Sequence, residues 1–414
     1  MNAYDDLAGW IDARHTQQIE FLRAIVRVPS DTPPGDNAPA AEKAAELLAA
    51  MGFTVERHPV PEDFLRAYGM KSVTNLIVRQ RFGTGGPTIA LNAHGDVVPP
   101  GEGWTKPPYD GVVEGGRMYG RGVAVSKSDI ATYAYALAAL RALADGGAPL
   151  AGTVELHFTY DEEQGGLAGP GWLLEHGLTR PDYAIAASFS YAIVTAHNGC
   201  LQLEVTVHGR SGHGALPESG RDAFRAGTAI LNAIYAEADA LKERKSEVRG
   251  IDHPTMIVGL LEGGINTNVV PDRLTLRLDR RMIPEENPAA VEARVRELVL
   301  SAAQGRDGIR VEIRRLLLAR ALKPLPGHEK LVAALRRHGQ RVLGEDLPAT
   351  GVPLYADARL YGEHGVPIVM YGAGPRTIAE SNAKRADENL LLEDMRRATQ
   401  VVAATVCDFL TGRA

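Results

Sequence analysis

Two runs rich in strand-forming residues, Thr88 to Asn92 and Thr153 to Tyr160, are separated by a long and largely apolar helical stretch, Ile130 to Leu143. Strand, crossover helix and second strand in that order predict a βαβ unit. Strands joined this way belong to a mostly parallel sheet with helices on both faces, and the ligand crevice of such a sheet lies beyond the carboxyl ends of its strands. At one of those ends the sequence reads His94-Gly95-Asp96, and at the other Asp161-Glu162-Glu163. An imidazole two residues from a carboxylate, together with adjacent glutamates, can serve as a general base or help to hold a divalent cation. Taken singly, each motif is ordinary: a His near an Asp is commonly a structural pair, and an acidic run in a loop is commonly solvated surface. Their shared place beyond strand ends is what points to chemistry.

A chain of 414 residues with 45% hydrophobic side chains is longer than one core usually organises, which predicts two domains. The net charge of −6 argues against a nucleic-acid partner, and a small amino-acid-like substrate fits better. No run approaches the roughly 20 apolar residues of a membrane span, so no membrane partner is expected. Cys200 and Cys407 are too few for a disulfide framework, which fits a reducing compartment and a cytoplasmic protein.

Ile19, Phe21, Leu22, Ile25 and Val26 recur at helical spacing until Pro29 and Pro33-Pro34 stop them. A second helix begins near Pro39 and ends at Gly52, and a strand follows from Phe53 to Val60. The Pro- and Gly-rich stretch Val98 to Gly122 is too long for a simple connection and is expected to wall the site. Near Gly199 the pattern changes. Leu201, Leu203, Val205 and Val207 alternate with polar residues, as do Leu274, Leu276 and Leu278, around helical stretches Asp222 to Ala240 and Pro288 to Ala303. After the strand Ile309 to Leu318, the helix Glu329 to Leu343, a loop through Tyr355 to Arg359, the strand Ile368 to Tyr371 and the helix Leu390 to Leu410 restore the first pattern. The expected architecture is α/β: a discontinuous catalytic-type domain, 1–198 and 319–414, interrupted by a smaller α+β domain, 199–318.

His94-Gly95-Asp96, Tyr119-Gly120-Arg121-Gly122 with Lys127, Asp161 to Gly166, Gly263-Gly264 with Asn268 and Pro271, Asp279 with Arg281, and Asp387-Glu388 together resemble the zinc aminoacylase and exopeptidase family. The likeness runs in unbroken order from about Thr16 to Leu410. It implies a catalytic α/β domain interrupted by a lid that often dimerises, with two zinc ions sharing a bridging aspartate. By position, His94 resembles the first-site histidine and Asp96 its orienting acid. Glu162 resembles the general base and Glu163 a second-site ligand. His213 resembles a lid histidine that can reach a partner subunit's active site and polarise the scissile carbonyl. Asn268 and Arg281 sit where the family recognises the substrate's carboxylate; the alternative for Arg281 is a plain strand-end salt bridge. Arg359 is a further candidate for substrate binding.

The pattern departs from the family at three ligand positions. Val125 stands in place of the bridging aspartate, Ser188 in place of a first-site acid, and Lys384 in place of the last histidine. Each metal would keep one protein ligand, where a catalytic zinc takes three, so no tightly bound dinuclear metal is expected and at most one weakly held zinc or manganese. Asp129 falls inside a helix, on a face turned away from Val125, and substitutes poorly; His157 reads as a packed strand residue, and His197 lies near the domain junction. Lys384 is expected to bring positive charge to Glu163, or else merely to fill space. Three readings follow. The leading one is an amidohydrolase-like enzyme for N-acyl amino acids or dipeptide-like compounds. The others are a metal-independent racemase, epimerase or lyase using Glu162 and Lys384, and a non-catalytic binding protein. A homodimer through the lid is expected with each.

Overall fold

The structure, a computed structural model, describes residues 3–414, so Met1 and Asn2 of the first expected segment lie outside it. It divides into two compact units. The larger holds the chain up to Thr195 with Pro324–Thr350 and Ala356–Ala414; the smaller holds Ala196–Lys323 with Gly351–Tyr355. The sequence pattern places Gly351–Tyr355 with the returning α/β segment instead, because five residues are too few to show a period of their own.

Strands β1 (Val55–Pro59), β2 (Thr74–Phe82), β3 (Thr88–His94), β4 (Val112–Glu114), β5 (Arg117–Tyr119), β6 (Gly152–Thr159), β7 (Tyr183–Ala186) and β8 (Ile193–His197) come first. Next are β9 (Gly199–His208), β10 (Gly212–His213), β11 (Thr255–Gly263), β12 (Val269–Val270), β13 (Arg273–Met282) and β14 (Arg310–Ala319). Near the C-terminus lie β15 (Ala349–Val352), β16 (Ile368–Met370) and β17 (Asn389–Leu391).

The main sheet has the order β1-β2-β6-β3-β7-β16-β8-β15. Its middle, β6-β3-β7-β16, is parallel, while β1 and β2 at one side and β8 at the other run antiparallel to their neighbours. Both faces are covered, as the alternation of β6 shows. Val154, Leu156 and Phe158 share a core with Ile130, Ala134 and Leu137 of the helix Lys127–Asp145. His157 points the other way and its Nδ1 meets the Tyr361 hydroxyl, on the helix Ala358–Glu363, at 2.8 Å. The crossover helix Lys127–Asp145 is buried all round over its first fourteen residues, which is why it reads as apolar rather than amphipathic. Each fully buried Leu or Ile there contributes about 1.5–3 kcal/mol to the fold.

The stretch Val98 to Gly122 is not the irregular loop expected. Val112–Glu114 and Arg117–Tyr119 turn back on each other at Gly115-Gly116, and β5 also pairs with β17 in a three-stranded sheet. A Gly-Gly pair between two short β-prone runs is a hairpin signal that the sequence does contain.

The smaller unit is an antiparallel sheet in the order β11-β13-β9-β14. Leu201, Leu203, Val205, Leu274, Leu276 and Leu278 face Ala226, Ile230, Val291 and Val295 of the helices Ala223–Ala240 and Pro288–Ala303. Each helix starts at a side-chain cap, Asp222 and Asn287 respectively, whose oxygen accepts two backbone amides. Beside this sheet, β10 and β12 form a separate two-stranded ribbon. Among the described residues, no helix is long and apolar enough to cross a membrane.

Candidate functional site

In the larger unit β3 lies between β6 and β7, so its last residue, His94, emerges beside the end of β6. The Gly95 amide donates to the Thr159 carbonyl at 2.8 Å and ties the two strand ends together. A Cβ on Gly95 would lie 2.3 Å from the Tyr160 ring, so this crossing requires glycine. His94 is held at its backbone by Ser126, whose hydroxyl donates to the His94 carbonyl and accepts from its amide. Its Nδ1 lies 3.0 Å from the Asp96 carbonyl and 3.3 Å from Asp96 Oδ1, and its Nε2 lies 3.9 Å from Glu162 Oε2.

Beyond β6 the chain makes one tight turn, Glu162–Gln164, that ends at Gly165 in the left-handed region. The first two amides of that turn point at Asp96: Glu162 donates to Oδ1 at 3.2 Å and Glu163 to Oδ2 at 3.0 Å. Asp96, fully buried, thereby fixes both glutamates relative to His94. Burial lowers the imidazole pKa of His94, but the bond to Asp96 and the charges of Glu162, Asp96 and Glu163 outweigh it and push it up to about 10. Burial, then repulsion from Glu162, pushes Glu163 up to about 7, against the pull of Lys384. Lys384 Nζ stands 2.7 Å from Glu163 Oε2. Burial lowers the ammonium's pKa, and the charges of Glu162 and Glu163 more than reverse that.

Further residues support these. Glu388 pairs with Arg121 at 2.6 Å and its other oxygen accepts the amides of Ala124 and Val125. Lys127 Nζ, fully buried, donates to the carbonyls of Ile25 and Val28, and burial lowers its pKa to about 8. Asp161 and Asp357 are buried as well. Burial first, then the charge of Asp96, pushes Asp161 up to about 8; burial and then Asp161 raise Asp357 well above the usual carboxylate range. The sequence alone does not single out Ser126 and Asp357, although both sit in segments that carry the family likeness or flank it, because their partners are distant in the chain.

Other candidates stand elsewhere. Arg359 is 3% exposed, with its guanidinium on the Gly165 carbonyl and on Glu363 at 3.1 Å. It braces the turn after Glu163, and a role in substrate binding stays a proposal. Asp129 accepts the Ala373 amide at 2.6 Å, and burial pushes its pKa up to about 7. His157 lies between Glu155 and Tyr361, and His197 is buried with Nδ1 at the Asn198 carbonyl. In the smaller unit, His213 and Asn268 meet on the β10–β12 ribbon, where the Gly214 amide donates to the Asn268 carbonyl at 2.8 Å. Arg281 donates Nε to Asp279 at 2.7 Å and lies over the Tyr355 ring, while Asp279 also accepts from Gln202 and Cys200.

Residues 90–408 match the description "Peptidase family M20/M25/M40". The chain belongs to this family. It is 29% identical to an acetylornithine deacetylase of Myxococcus xanthus over 91% of this chain and 93% of that protein. It is 30% identical to a succinyl-diaminopimelate desuccinylase of Methylobacterium over 92% and 93% of the respective chains. A dipeptidase of Saccharomyces cerevisiae has the same fold, with TM-score 0.82 at 14% identity over 99% of both chains.

M20 relatives of this kind are amide-bond hydrolases, and members of the family normally use zinc or another divalent metal. The donor set of this member does not fit such a pair of ions. Val125 offers a side chain without a donor atom, Ser188 offers a hydroxyl where a carboxylate is needed, and Lys384 places an ammonium against Glu163. Of the positions where the family likeness places ligands, His94 and Glu163 keep a donor side chain suited to zinc, fewer than the roughly three protein ligands that each catalytic ion takes.

Proposed function

We propose that this chain is an M20 amidohydrolase for an N-acyl amino acid or a dipeptide-like compound, working through protein charges rather than a metal pair. The observation that carries this reading is the Asp96 carboxylate bound to the amides of both Glu162 and Glu163, which seats a general base beside His94. A water oxygen attacks the amide carbon while Glu162 takes the water proton. The carbon–nitrogen bond then breaks, and that proton passes to the departing nitrogen. The nucleophile is weaker than a metal-bound hydroxide, so turnover is expected to be slow compared with metal-bearing relatives. Carbonyl polarisation by His213 and carboxylate recognition by Asn268 and Arg281 belong to the same proposal. What supports them is the family likeness and, for Arg281, a guanidinium held by Asp279 through Nε alone.

The test is release of a primary amine from N-acetyl and N-succinyl amino acids and from dipeptides, using protein purified without added metal, with and without chelator. Release that survives the chelator is the expected result. No release in any condition, zinc and manganese loading included, would overturn the reading.

A second reading, proton transfer at the α-carbon of an amino-acid-like ligand, is favoured by the Glu163–Lys384 contact, which puts an ammonium acid next to the Glu162 base. Deuterium from solvent entering a bound amino acid, without cleavage, would select it over hydrolysis. We also propose a homodimer through the smaller unit. Its support is the sheet-edge strand β11, where Ile257 is 57% and Leu261 53% exposed. A cytoplasmic location is proposed on the two free cysteines, both buried.

A further inference from the structure

We propose that Lys384 is an internal cation: its ammonium takes the place of the second metal ion at Glu163 and keeps divalent metals out of the site. Three observations carry this. The first is the contact itself, 2.7 Å from Nζ to an oxygen of Glu163, whose side chain is 8% exposed. An ion drawn to that carboxylate meets the ammonium's positive charge there.

The second is the way the lysine is held. Asn382, Lys384 and Asp387 all have positive φ, at 51°, 61° and 54°, a backbone region that residues other than glycine seldom adopt. The strained segment is fastened at its far end. The Asp387 carboxylate accepts the Thr105 amide and hydroxyl and the Lys106 amide. Glu388 is locked to Arg121, and Asn389 Nδ2 donates to the carbonyls of Ser381 and Asp387. The frame fixes the backbone from which Lys384 projects, and about half of its side chain is open to solvent while its charged end is engaged.

The third is charge. Glu162 and Asp96 act on Glu163 as like charges, and Lys384 and His94 act on it as opposite ones. Glu162 and Glu163 lie side by side on one turn, and without the lysine their repulsion would lack a nearby counter-charge; with it the pair holds its own. The Val125 position agrees with this, because its backbone amide is used by Glu388 and its side chain adds nothing to a coordination shell.

The inference rests on the metal-free reading of the site above but not on hydrolysis, and it is tested without substrate. Tag-free wild type, Lys384→Met and Lys384→His are titrated with zinc chloride and with manganese chloride by calorimetry, with circular dichroism to confirm that each variant is folded. Removal of the ammonium should tighten zinc binding by at least about tenfold, with Lys384→His tightening it further. Equal zinc affinity in wild type and Lys384→Met overturns the proposal, as does stoichiometric zinc in wild type after dialysis against chelator. Should Lys384→Met not fold, Lys384→Gln, which keeps a hydrogen-bond donor for Glu163 but no charge, gives a second route with the same zinc readout. Zinc affinity of Lys384→Gln equal to that of wild type would equally overturn the proposal.

Discussion

Arg121 and Glu388 form an ion pair 2.6 Å long in which each side chain is 1% exposed, and the same glutamate caps the amides of Ala124 and Val125. One interaction thus fixes the two segments that carry Val125 and Lys384. Substituting Arg121→Met should leave a buried carboxylate without its partner and cost about 3–5 kcal/mol in chemical denaturation. A loss below about 1 kcal/mol would show that the pair is dispensable.

Glu162→Gln should lower amine release by about 10²- to 10⁴-fold, the usual contribution of a positioned base, with little change in melting temperature. The side-chain amide keeps the shape but cannot take the water proton. Retention of full activity would remove Glu162 from the reaction.

The strand ends and their motifs are legible in the sequence because period-two and helical patterns are local, and His94, Asp96, Glu162 and Glu163 each follow directly from such an element. The identity of position 384 is legible by its order in the family pattern, whereas its distance to Glu163 depends on a loop of positive-φ residues that no periodicity announces. Arg359 illustrates the opposite case. It is a substrate-binding candidate from the sequence, and only the packing of Ala358–Glu363 against Gly165 shows that its guanidinium is also engaged within the chain. The hairpin at Gly115-Gly116 has a local signal, but two three-residue strands carry too little alternation to outweigh the surrounding prolines and glycines.

Asp129 gives the pH dependence. Its carboxyl is raised from the usual 3.8 to about 7 by burial, so between those values the folded state holds a proton that the unfolded chain has released. Stability from this group is therefore fully present below about pH 4 and is lost as pH rises through 7, each pH unit in that interval costing about 1.4 kcal/mol. Asp129→Asn should gain stability relative to wild type on going from pH 4 to pH 8, while the amide oxygen can still accept from Ala373. Parallel stability curves for the two proteins across that range would contradict the assignment.

Restoring the missing ligands should restore the metal. The triple variant Val125→Asp, Ser188→Glu, Lys384→His is expected to retain zinc through dialysis, read by elemental analysis, where wild type does not. A variant that folds and remains free of zinc would mean that the backbone around these positions has also moved out of coordinating geometry.

The edge strand β11 offers a test of assembly. Leu261→Arg places a charge on an exposed apolar position of that edge and should shift the protein from dimer to monomer in light scattering, without loss of the Leu203–Ile230 core behind it. An unchanged mass would move the interface elsewhere or leave the chain monomeric.

Asp96 accepts two amides of its own polypeptide, so the ends of the parallel neighbours β3 and β6 are tied together by bonds formed within the chain. On the metal-free reading proposed above, cells deprived of trace elements accumulate as much mature protein as replete ones, which uncouples its supply from mineral nutrition.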